Sequence, residues 1–284
     1  MPTRRIDDCE PASAALRTVH PMSSDYALQL SDQEAARYLF MAEMAASDEA
    51  ADWAAAGIVP GAAVADVGCG PGAMLAVIAD AIGPSGTAVG VDGDEGALVL
   101  ARQAIADRPQ ARVQVGRAEA TGLDPGSFDV VVCRHVLAHN GGREEAIVAH
   151  LAELAKPGGA VYLVDVHLSG SSLHPVPPGM DIDEHYRAFH AHRGNDLLVG
   201  LRLGSLLEDA GLDVERYHCV GRVQRLPVGI RGPQWAARDA MVAEGVATAE
   251  DVARWHAAFV EMDRAPSRPW MFIPMFVAVG RRPG

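Results

Sequence analysis

The chain has 284 residues, of which 49% are apolar, and its 37 acidic residues against 24 basic ones give a formal net charge of −13 at pH 7. This length and apolar content suffice for one large domain with a sizeable core. The acidic balance disfavours a nucleic-acid partner, because phosphate backbones repel such a surface, and no apolar run reaches the roughly 18 residues that a membrane-spanning helix needs.

The cysteines and the amino-terminal residues bear on where the protein acts. The four cysteines are far apart and form no C-x-x-C pair, which favours reduced thiols over disulfides or structural zinc. The first 20 residues contain no apolar stretch of the kind found in secretory signals. We therefore expect a cytoplasmic protein.

The amino-terminal segment is predicted to be helical after a loosely docked arm over residues 1–25. Ser31-Asp32-Gln33-Glu34 has the form of a capping box, with a hydroxyl at the N-cap and a carboxylate at N3. The helix that it opens is expected to end near Ala46. Ser47 is predicted to cap a second helix that ends near Gly57.

From residue 62 onward, short apolar strands alternate with helices. Strands are predicted at Ala63–Val67, Thr87–Val91, Arg112–Gly116, Asp129–Cys133, Ala160–Val166, Val214–Val223 and Met271–Gly280. Helices are predicted at Ala73–Ile82, Glu95–Asp107, Glu144–Ala155 and Leu197–Ala210, with a turn at Lys156–Gly159. This alternation is typical of an α/β fold with a doubly wound, mostly parallel sheet and right-handed crossovers.

Two stretches break the alternation, residues 167–200 and residues 229–269. The second is predicted to hold helices at about Pro233–Ala243 and Ala249–Arg264. Long insertions beside a regular core are usually functional. We predict that both are lids, and surface decoration is the alternative.

The most informative motif is the glycine-rich segment Val64–Gly72, which lies between the first strand and the next helix. Gly68, Gly70 and Gly72 lack a Cβ atom where the backbone would have to approach a ligand. The N-terminus of the following helix offers free N–H groups to a carboxylate or similar group. The spacing G-x-G-x-G differs from the dinucleotide motif G-x-G-x-x-G, which disfavours a nicotinamide-dependent oxidoreductase.

An acidic residue follows the second strand. Asp92 lies 20 residues after Gly72, where a carboxylate is able to accept hydrogen bonds from both hydroxyls of a ribose. The alternative is that Asp92 caps the next helix, a role that Gly93 or Asp94 would also fill. The motif pair therefore favours a nucleoside ligand.

With these motifs the chain resembles the class I S-adenosylmethionine (SAM)-dependent methyltransferases, near the ubiquinone/menaquinone-biosynthesis type and bacterial small-molecule methyltransferases. Phe128–Val132 matches the family's fourth-strand motif, and Leu154–Gly159 matches its L-x-K-P-G-G turn. The resemblance spans residues 62–166 and resumes at Leu206–Leu212 and in the last strand. It implies SAM as cofactor, a Rossmann-like seven-stranded sheet in residues 58–284, and an arm over residues 1–57 that covers the cofactor site.

The resemblance also implies a set of cofactor contacts. The glycine loop and Asp66 would hold the methionine part of SAM, and the ribose and adenine would lie against Asp92 and the turn after the third strand. In that turn Arg117 replaces the aspartate that relatives often have. The remaining implied contacts are Tyr26, Arg37, Gly93, Ala118, Glu119, Arg134 and His135. Arg37 is expected to pair with the SAM carboxylate, and a solvated helix face is the alternative.

Histidines at the strand ends are candidates for catalysis. Methyl transfer requires alignment of the nucleophile and exclusion of water, and a hydroxyl nucleophile benefits from a base such as histidine. His139 follows the fourth strand and His167 the fifth, at the sheet edge where ligands bind in open α/β folds. Both are predicted as general bases, and a rim position without a catalytic role is the alternative. The spacing of His185, His190 and His192 fits no metal site, so no metal is expected.

We expect methylation of a small acceptor at oxygen, nitrogen or carbon, in secondary metabolism. Aromatic residues in the predicted lids favour an apolar or aromatic acceptor, and the expected assembly is a homodimer. The alternative is a methyltransferase-fold protein that binds SAM and catalyses another reaction, such as a cyclisation. Release of S-adenosylhomocysteine (SAH) distinguishes the two.

Overall fold

A computed structural model describes residues 32–284 of the chain. Its strands are β1 (Ala63–Val67), β2 (Thr87–Asp92), β3 (Ala111–Val115), β4 (Phe128–Arg134), β5 (Ala155–Val166), β6 (Ser172–His174), β7 (Asp213–Val220), β8 (Val223–Arg225), β9 (Trp270–Phe272) and β10 (Met275–Arg281). Its helices are α1 (Asp32–Asp48), α2 (Ala50–Ala56), α3 (Ala73–Ile82), α4 (Glu95–Ala104), α5 (Glu144–Leu154), α6 (Ile182–His192), α7 (Leu203–Asp209), α8 (Pro233–Ala236), α9 (Arg238–Ala243) and α10 (Ala249–Arg264).

Seven strands form the main sheet in the order β3-β2-β1-β4-β5-β10-β7. The pairs among β1 to β5 are parallel, and β10 runs antiparallel to both β5 and β7. The central strands are buried on both faces, which explains why they read as continuous apolar runs. The predicted doubly wound α/β fold is confirmed.

Alternate residues of the strands supply two cores. On one face, Val64, Val130 and Tyr162 pack with Trp53 of α2 and with the apolar side of α3. On the other face, a larger cluster joins the strands to α5 and α7 and continues into α6, α8, α9 and α10. Because α2 contributes to the first core, the amino-terminal helices pack directly on the sheet.

The first insertion contains an unpredicted helix, α6. α6 buries Ile182, Tyr186 and Phe189, which lie at helical spacing along one side. β6, β9 and β8 form a separate three-stranded antiparallel sheet. The two insertions therefore pack together, α6 against α8 and α9, on one face of the main sheet.

Several predicted boundaries are wrong. α1 continues through Ser47, and the N-cap of α2 is Glu49, so Ser47 is not a cap. Ser31 lies outside the described residues. The predicted turn at Lys156–Gly159 is the irregular start of β5, where the register with β4 shifts.

Two of the later helices and the last strand are divided into shorter elements than predicted. The helix expected at Leu197–Ala210 is a 3-10 turn followed by α7, and the one at Pro233–Ala243 divides into α8 and α9. The last predicted strand splits between β9 and β10 at Pro274, which has no N–H to give to a sheet. No helix among the described residues combines the length and apolar character needed to cross a bilayer.

Candidate functional site

The glycine loop joins the carboxyl end of β1 to α3 and is fixed to the neighbouring strand. The N–H groups of Gly68 and Cys69 both donate to the carbonyl of Val91, at 2.7 and 3.0 Å. Gly68, Gly70 and Gly72 have φ values of 79°, 51° and 83°, which favour glycine over any other residue. The alternating glycines are therefore required by the path of the backbone.

Two of these glycines are also required by close protein packing. A Cβ atom on Gly68 would lie 2.2 Å from a methyl group of Val136, and one on Gly72 would lie 2.7 Å from the Cα atom of Ala101. At Gly70 the nearest atom would be a ring carbon of Tyr38 at 3.9 Å. Close packing therefore also requires glycine at Gly68 and Gly72, and the lining of a ligand by the three glycines stays a prediction.

Asp92, at the tip of β2, faces this loop. Its carboxylate accepts a hydrogen bond from the Gly70 N–H at 2.8 Å and another from the Asp94 N–H at 2.9 Å. Asp94, and not Asp92, caps α4 by accepting from the N–H groups of Gly96 and Ala97. The helix-cap alternative for Asp92 is therefore excluded. Each carboxylate oxygen keeps a lone pair for a further donor, and Gly93 beside it has open space where a side chain would be.

Asp66 is a buried carboxylate beneath the loop. Its exposed fraction is 2%, and within residues 32–284 its Oδ2 atom has no hydrogen-bond partner. Burial raises the pKa of Asp66 to about 7, against the nearby charge of Arg134, and the charge of Asp92 raises it further. An unpartnered buried carboxylate is costly, so this position fits a bound cationic group.

Helix α1 covers the loop from above. Arg37 is buried, with 8% exposure; its guanidinium lies 4.7 Å from the centre of the Tyr38 ring and 2.8 Å from the sulfur of Met41. The alternative of a solvated helix face is therefore excluded. Tyr26, the other predicted contact from the arm, lies outside the described residues.

Arg134 lies in a buried ion pair on the α2 side of the sheet. Its Nη1 atom lies 2.5 Å from Oε2 of Glu49, and that oxygen also accepts a hydrogen bond from the Tyr162 hydroxyl at 2.6 Å. The side chains of Arg134 and Glu49 are 8% and 4% exposed. The guanidinium predicted to contact the cofactor is therefore bound to Glu49, and it acts on the site through its charge at Asp66.

The turn after β3 holds its charged residues in ion pairs. Glu119 accepts a hydrogen bond from Nε of Arg117 at 2.8 Å and lies 3.3 Å from Nη1 of Arg143. Arg117 itself is exposed. Ala118 packs against the apolar cluster from a partly buried position. The carbonyl of Gly116, two residues earlier, is the nearest neighbour of the open space at Gly93.

Two of the predicted histidines lie together after β4. His135 adopts a φ of 55°, uncommon for a residue with a side chain, and within the described residues its Nε2 atom has no hydrogen-bond partner. Burial, followed by the charge of Arg37, lowers the pKa of His139 to about 4. The His139 ring lies 4.9 Å from that of His190, a residue with no predicted role.

A second buried aspartate positions this histidine turn. Asp165, near the end of β5, is 1% exposed and accepts hydrogen bonds from the N–H groups of Ala138 and Val166 at 3.1 and 2.8 Å. Burial raises the pKa of Asp165 to about 7 against these hydrogen bonds. Asp165 was not predicted as a site residue. Its only signal in the sequence is that a charged residue stands inside an apolar strand.

His167 lies in a different environment. Its Nδ1 atom is 3.1 Å from the carbonyl of Leu198 and its Nε2 atom 2.8 Å from the hydroxyl of Ser169, and its ring packs on Phe276. Since a carbonyl only accepts, Nδ1 carries the proton and the Nε2 lone pair faces the hydroxyl. Among the contacts described for residues 32–284, none joins His167 to His139.

The histidines of the first insertion also separate. His185 lies against Trp255, His190 against His139, and His192 is exposed. In the part of the chain that the structure describes, no group of three or more histidine, cysteine, aspartate or glutamate side chains is arranged to hold a metal ion.

Comparison with known proteins places this chain in a family. The family described as "Methyltransferase domain" matches residues 64–159. The chain is 32% identical to an uncharacterized methyltransferase of Synechocystis over 57% of its own length and 71% of that protein. It is 28% identical to the ubiquinone biosynthesis O-methyltransferase of Thiobacillus denitrificans, over 58% and 73% of the two chains.

Other relatives are matched over a smaller part. The chain is 36% identical to nocamycin O-methyltransferase of Saccharothrix syringae over 42% of its own length. It spans 40% of that protein and 44% of a 37.1 kDa protein from a Streptomyces fradiae transposon, to which it is 29% identical. Less than half of each of these two relatives is therefore represented.

Solved structures share the fold at low identity. The YcgJ protein of Bacillus subtilis is 17% identical, with a TM-score of 0.52 over 84% of this chain and 99% of that one. Geranyl diphosphate C-methyltransferase of Streptomyces coelicolor is 14% identical, with a TM-score of 0.50 over 88% and 79%. From the matched domain, the relatives and the shared sheet, the chain belongs to the class I SAM-dependent methyltransferases, an enzyme family whose cofactor is S-adenosylmethionine.

Proposed function

We propose that this enzyme transfers the methyl group of SAM to a small apolar or aromatic acceptor, at oxygen, nitrogen or carbon, in secondary metabolism. The observation that carries the proposal is the buried carboxyl group of Asp66 beneath the glycine loop, near Asp92, whose Oδ2 atom has no hydrogen-bond partner within residues 32–284. The name of nocamycin O-methyltransferase supports a small-molecule acceptor. The net charge of −13 supports an acceptor other than nucleic acid.

The residues present fit SAM. The loop N–H groups from Gly68 to Gly70 and that of Gly72 are bonded within the protein, so the carboxylate of SAM would lie against Arg37. Its ammonium would lie against Asp66 and its ribose hydroxyls against Asp92. The turn at Ala118 and Glu119 would flank the adenine. When bound, SAM supplies a methyl group on a positively charged sulfur, so the protein's task is alignment and exclusion of water.

Asp66 gives the proposal a pH dependence. Its pKa is raised to about 7 by burial, so at lower pH the carboxyl is protonated and does not attract an ammonium. SAM affinity should therefore rise as the pH increases through 7, by up to about tenfold per unit below that value, and level off above it. Calorimetric titration from pH 5.5 to 8.5 measures this.

Asp66→Asn is the matched control for that titration. It keeps the shape of the side chain and removes the ionisation, so its SAM affinity should be weak and flat over the same range. A pH slope that persists in Asp66→Asn would show that another group is responsible.

Replacing Asp92 should weaken SAM binding without unfolding the chain. Asp92→Ala removes the carboxylate proposed to hold the ribose, and the loss of one or more hydrogen bonds corresponds to roughly 1–3 kcal/mol, or about 5- to 150-fold in dissociation constant. Asp80→Ala is the matched control, because its carboxylate pairs with Arg108 at the surface. Unchanged affinity in a folded Asp92→Ala variant would refute the ribose assignment.

The acceptor is proposed to bind between the strand ends and the lids. Tyr186 and Phe189 of α6 contact His190, with ring centres 4.3 and 5.1 Å away, and His190 adjoins His139. Other lid aromatics, such as Trp255, are packed inside the lid core. We propose His139 as the base, because both ring nitrogens of His167 lie within hydrogen-bonding distance of neighbouring groups.

The alternative is an enzyme that binds SAM and catalyses a reaction other than methylation, such as a cyclisation. Both functions require the same cofactor pocket, so SAM binding does not separate them. Release of SAH, assayed with a panel of phenols, amines and polyketides, separates methylation from the other reaction. Turnover of an acceptor without SAH would favour the alternative.

Domain organisation, cellular location and assembly are proposed as follows. We propose that residues 1–57 cover the cofactor, that residues 58–284 form the catalytic core with lids at 167–200 and 229–269, and that the enzyme acts in the cytoplasm. A homodimer is the assembly to test, by light scattering of the full chain.

A further inference from the structure

His190, on the lid helix α6, is a buried histidine without an assigned role whose ring lies beside that of His139. Its exposed fraction is 2%. The rings of His139, Tyr186 and Phe189 surround it at 4.9, 4.3 and 5.1 Å. His190 therefore belongs to the first insertion in the sequence, but in the fold it lies beside His139, after the carboxyl end of β4.

The hydrogen bonds around His190 determine which nitrogen carries its proton. Asn195 accepts at Oδ1 from the N–H of Gly141, at 3.2 Å, which turns its amide nitrogen toward His190. That nitrogen lies 2.9 Å from Nδ1 of His190. Because an amide NH₂ only donates, Nδ1 must accept, and in the neutral ring the proton lies on Nε2.

This Nε2–H group is buried and, within residues 32–284, makes no hydrogen bond. An unsatisfied buried donor is destabilising. The charge of Arg37 acts on the adjoining His139, whereas Arg193 is paired with Glu244. An oxygen with partial negative charge would satisfy the Nε2–H donor, whereas an ammonium group would not.

The loop after β4 packs closely against the segment that follows α6. A Cβ atom on Gly141 would lie 1.8 Å from the carbonyl oxygen of Gly194, so the two backbones are in direct contact. The same contact carries the Gly141–Asn195 hydrogen bond. This contact therefore holds His139 and His190 side by side.

We propose that His190 is a substrate-binding residue whose Nε2–H donates a hydrogen bond to an oxygen of the methyl acceptor, and that the acceptor carries a carbonyl or phenolate oxygen near the methylated atom. This inference rests on the proposed function and narrows its substrate class. His139 would contact the nucleophile, and His190 would select the neighbouring oxygen.

Nuclear magnetic resonance of the full chain labelled with ¹⁵N-histidine tests the proposal. His190 is assigned by loss of its signal in His190→Phe, and His192→Phe, on the exposed side of the same helix, is the matched control. Without ligand, we expect a neutral ring protonated at Nε2. A proton on Nδ1 overturns the proposal.

The second measurement uses two probes, 2-hydroxyacetophenone and its carbon isostere 2-isopropenylphenol, each titrated into protein saturated with SAH. The carbonyl compound should shift the His190 signal and bind about tenfold more tightly, the effect of one hydrogen bond. His190→Phe should abolish the preference, and His190→Gln, which keeps a donor near Nε2, should retain part of it. An equal response to both probes, or to neither, contradicts the proposal.

Failure of the proposed function and failure of the His190 assignment give different results. If calorimetry detects no SAH binding, the proposed function fails, while the position of the His190 proton is still read without any ligand. If SAH binds and His190 does not discriminate between the probes, only the assignment of His190 fails.

Discussion

His139→Ala is expected to lower kcat for methyl transfer by about 10²- to 10⁴-fold, the usual contribution of a positioned base, with SAM affinity nearly unchanged. His139 is held on the turn that Asp165 fixes through the Ala138 N–H. Burial lowers its pKa to about 4, so its ring is neutral at physiological pH and one ring nitrogen carries a free lone pair. Stopped assays of SAH release, with SAM binding measured separately, check both parts.

The pH dependence and a second variant control this prediction. Because the neutral form of His139 persists down to its folded pKa of about 4, kcat should not fall as the pH decreases from 7.5 to 5.5. His167→Ala should retain most of the activity. A rate that falls through the ordinary histidine range, or that is lost in His167→Ala and kept in His139→Ala, would identify a different base.

Glu49→Leu is expected to destabilise the fold by about 3–5 kcal/mol, the usual result of removing one partner from a buried ion pair. The carboxylate of Glu49 holds both Arg134 and the Tyr162 hydroxyl. Its loss would leave the guanidinium of Arg134 buried without its partner and would loosen α1 and α2 over the cofactor pocket. Chemical denaturation at pH 7.5 measures the change in the free energy of unfolding.

Two further variants show whether the ion pair is the cause. Glu43→Leu makes the same change at an exposed position of α1 and should alter the free energy of unfolding by no more than about 0.5 kcal/mol. The double variant Glu49→Leu/Arg134→Met removes both charges and should recover part of the lost stability. Equal destabilisation by Glu49→Leu and Glu43→Leu would contradict the assignment.

The part of the site that was predictable from the sequence depends on local spacing. The strand, the glycines and the helix start lie within Ala63–Ile82, and the observed β1 and α3 match their predicted bounds. Asp92 was recognisable because it ends a strand, and Asp94 was available as the cap. Local patterns determine these features, so one sequence reveals them.

The parts that were missed depend on contacts between distant residues. Glu49 and Arg134 are 85 residues apart, and nothing in the alanine-rich sequence around Glu49 indicates that its carboxylate is buried. The helix α6 did carry a local signal, since Ile182, Tyr186 and Phe189 have helical spacing. Its many histidines obscured that pattern, and with it the position of His190 beside His139.

A crystal structure of the full chain with SAH tests the central claim most directly. The account predicts the ligand's amino group against Asp66, its ribose hydroxyls against Asp92, and its methionine part along the loop that contains Gly70. A complex in which the ligand lies elsewhere, or in which the ribose makes no contact with Asp92, would contradict the account.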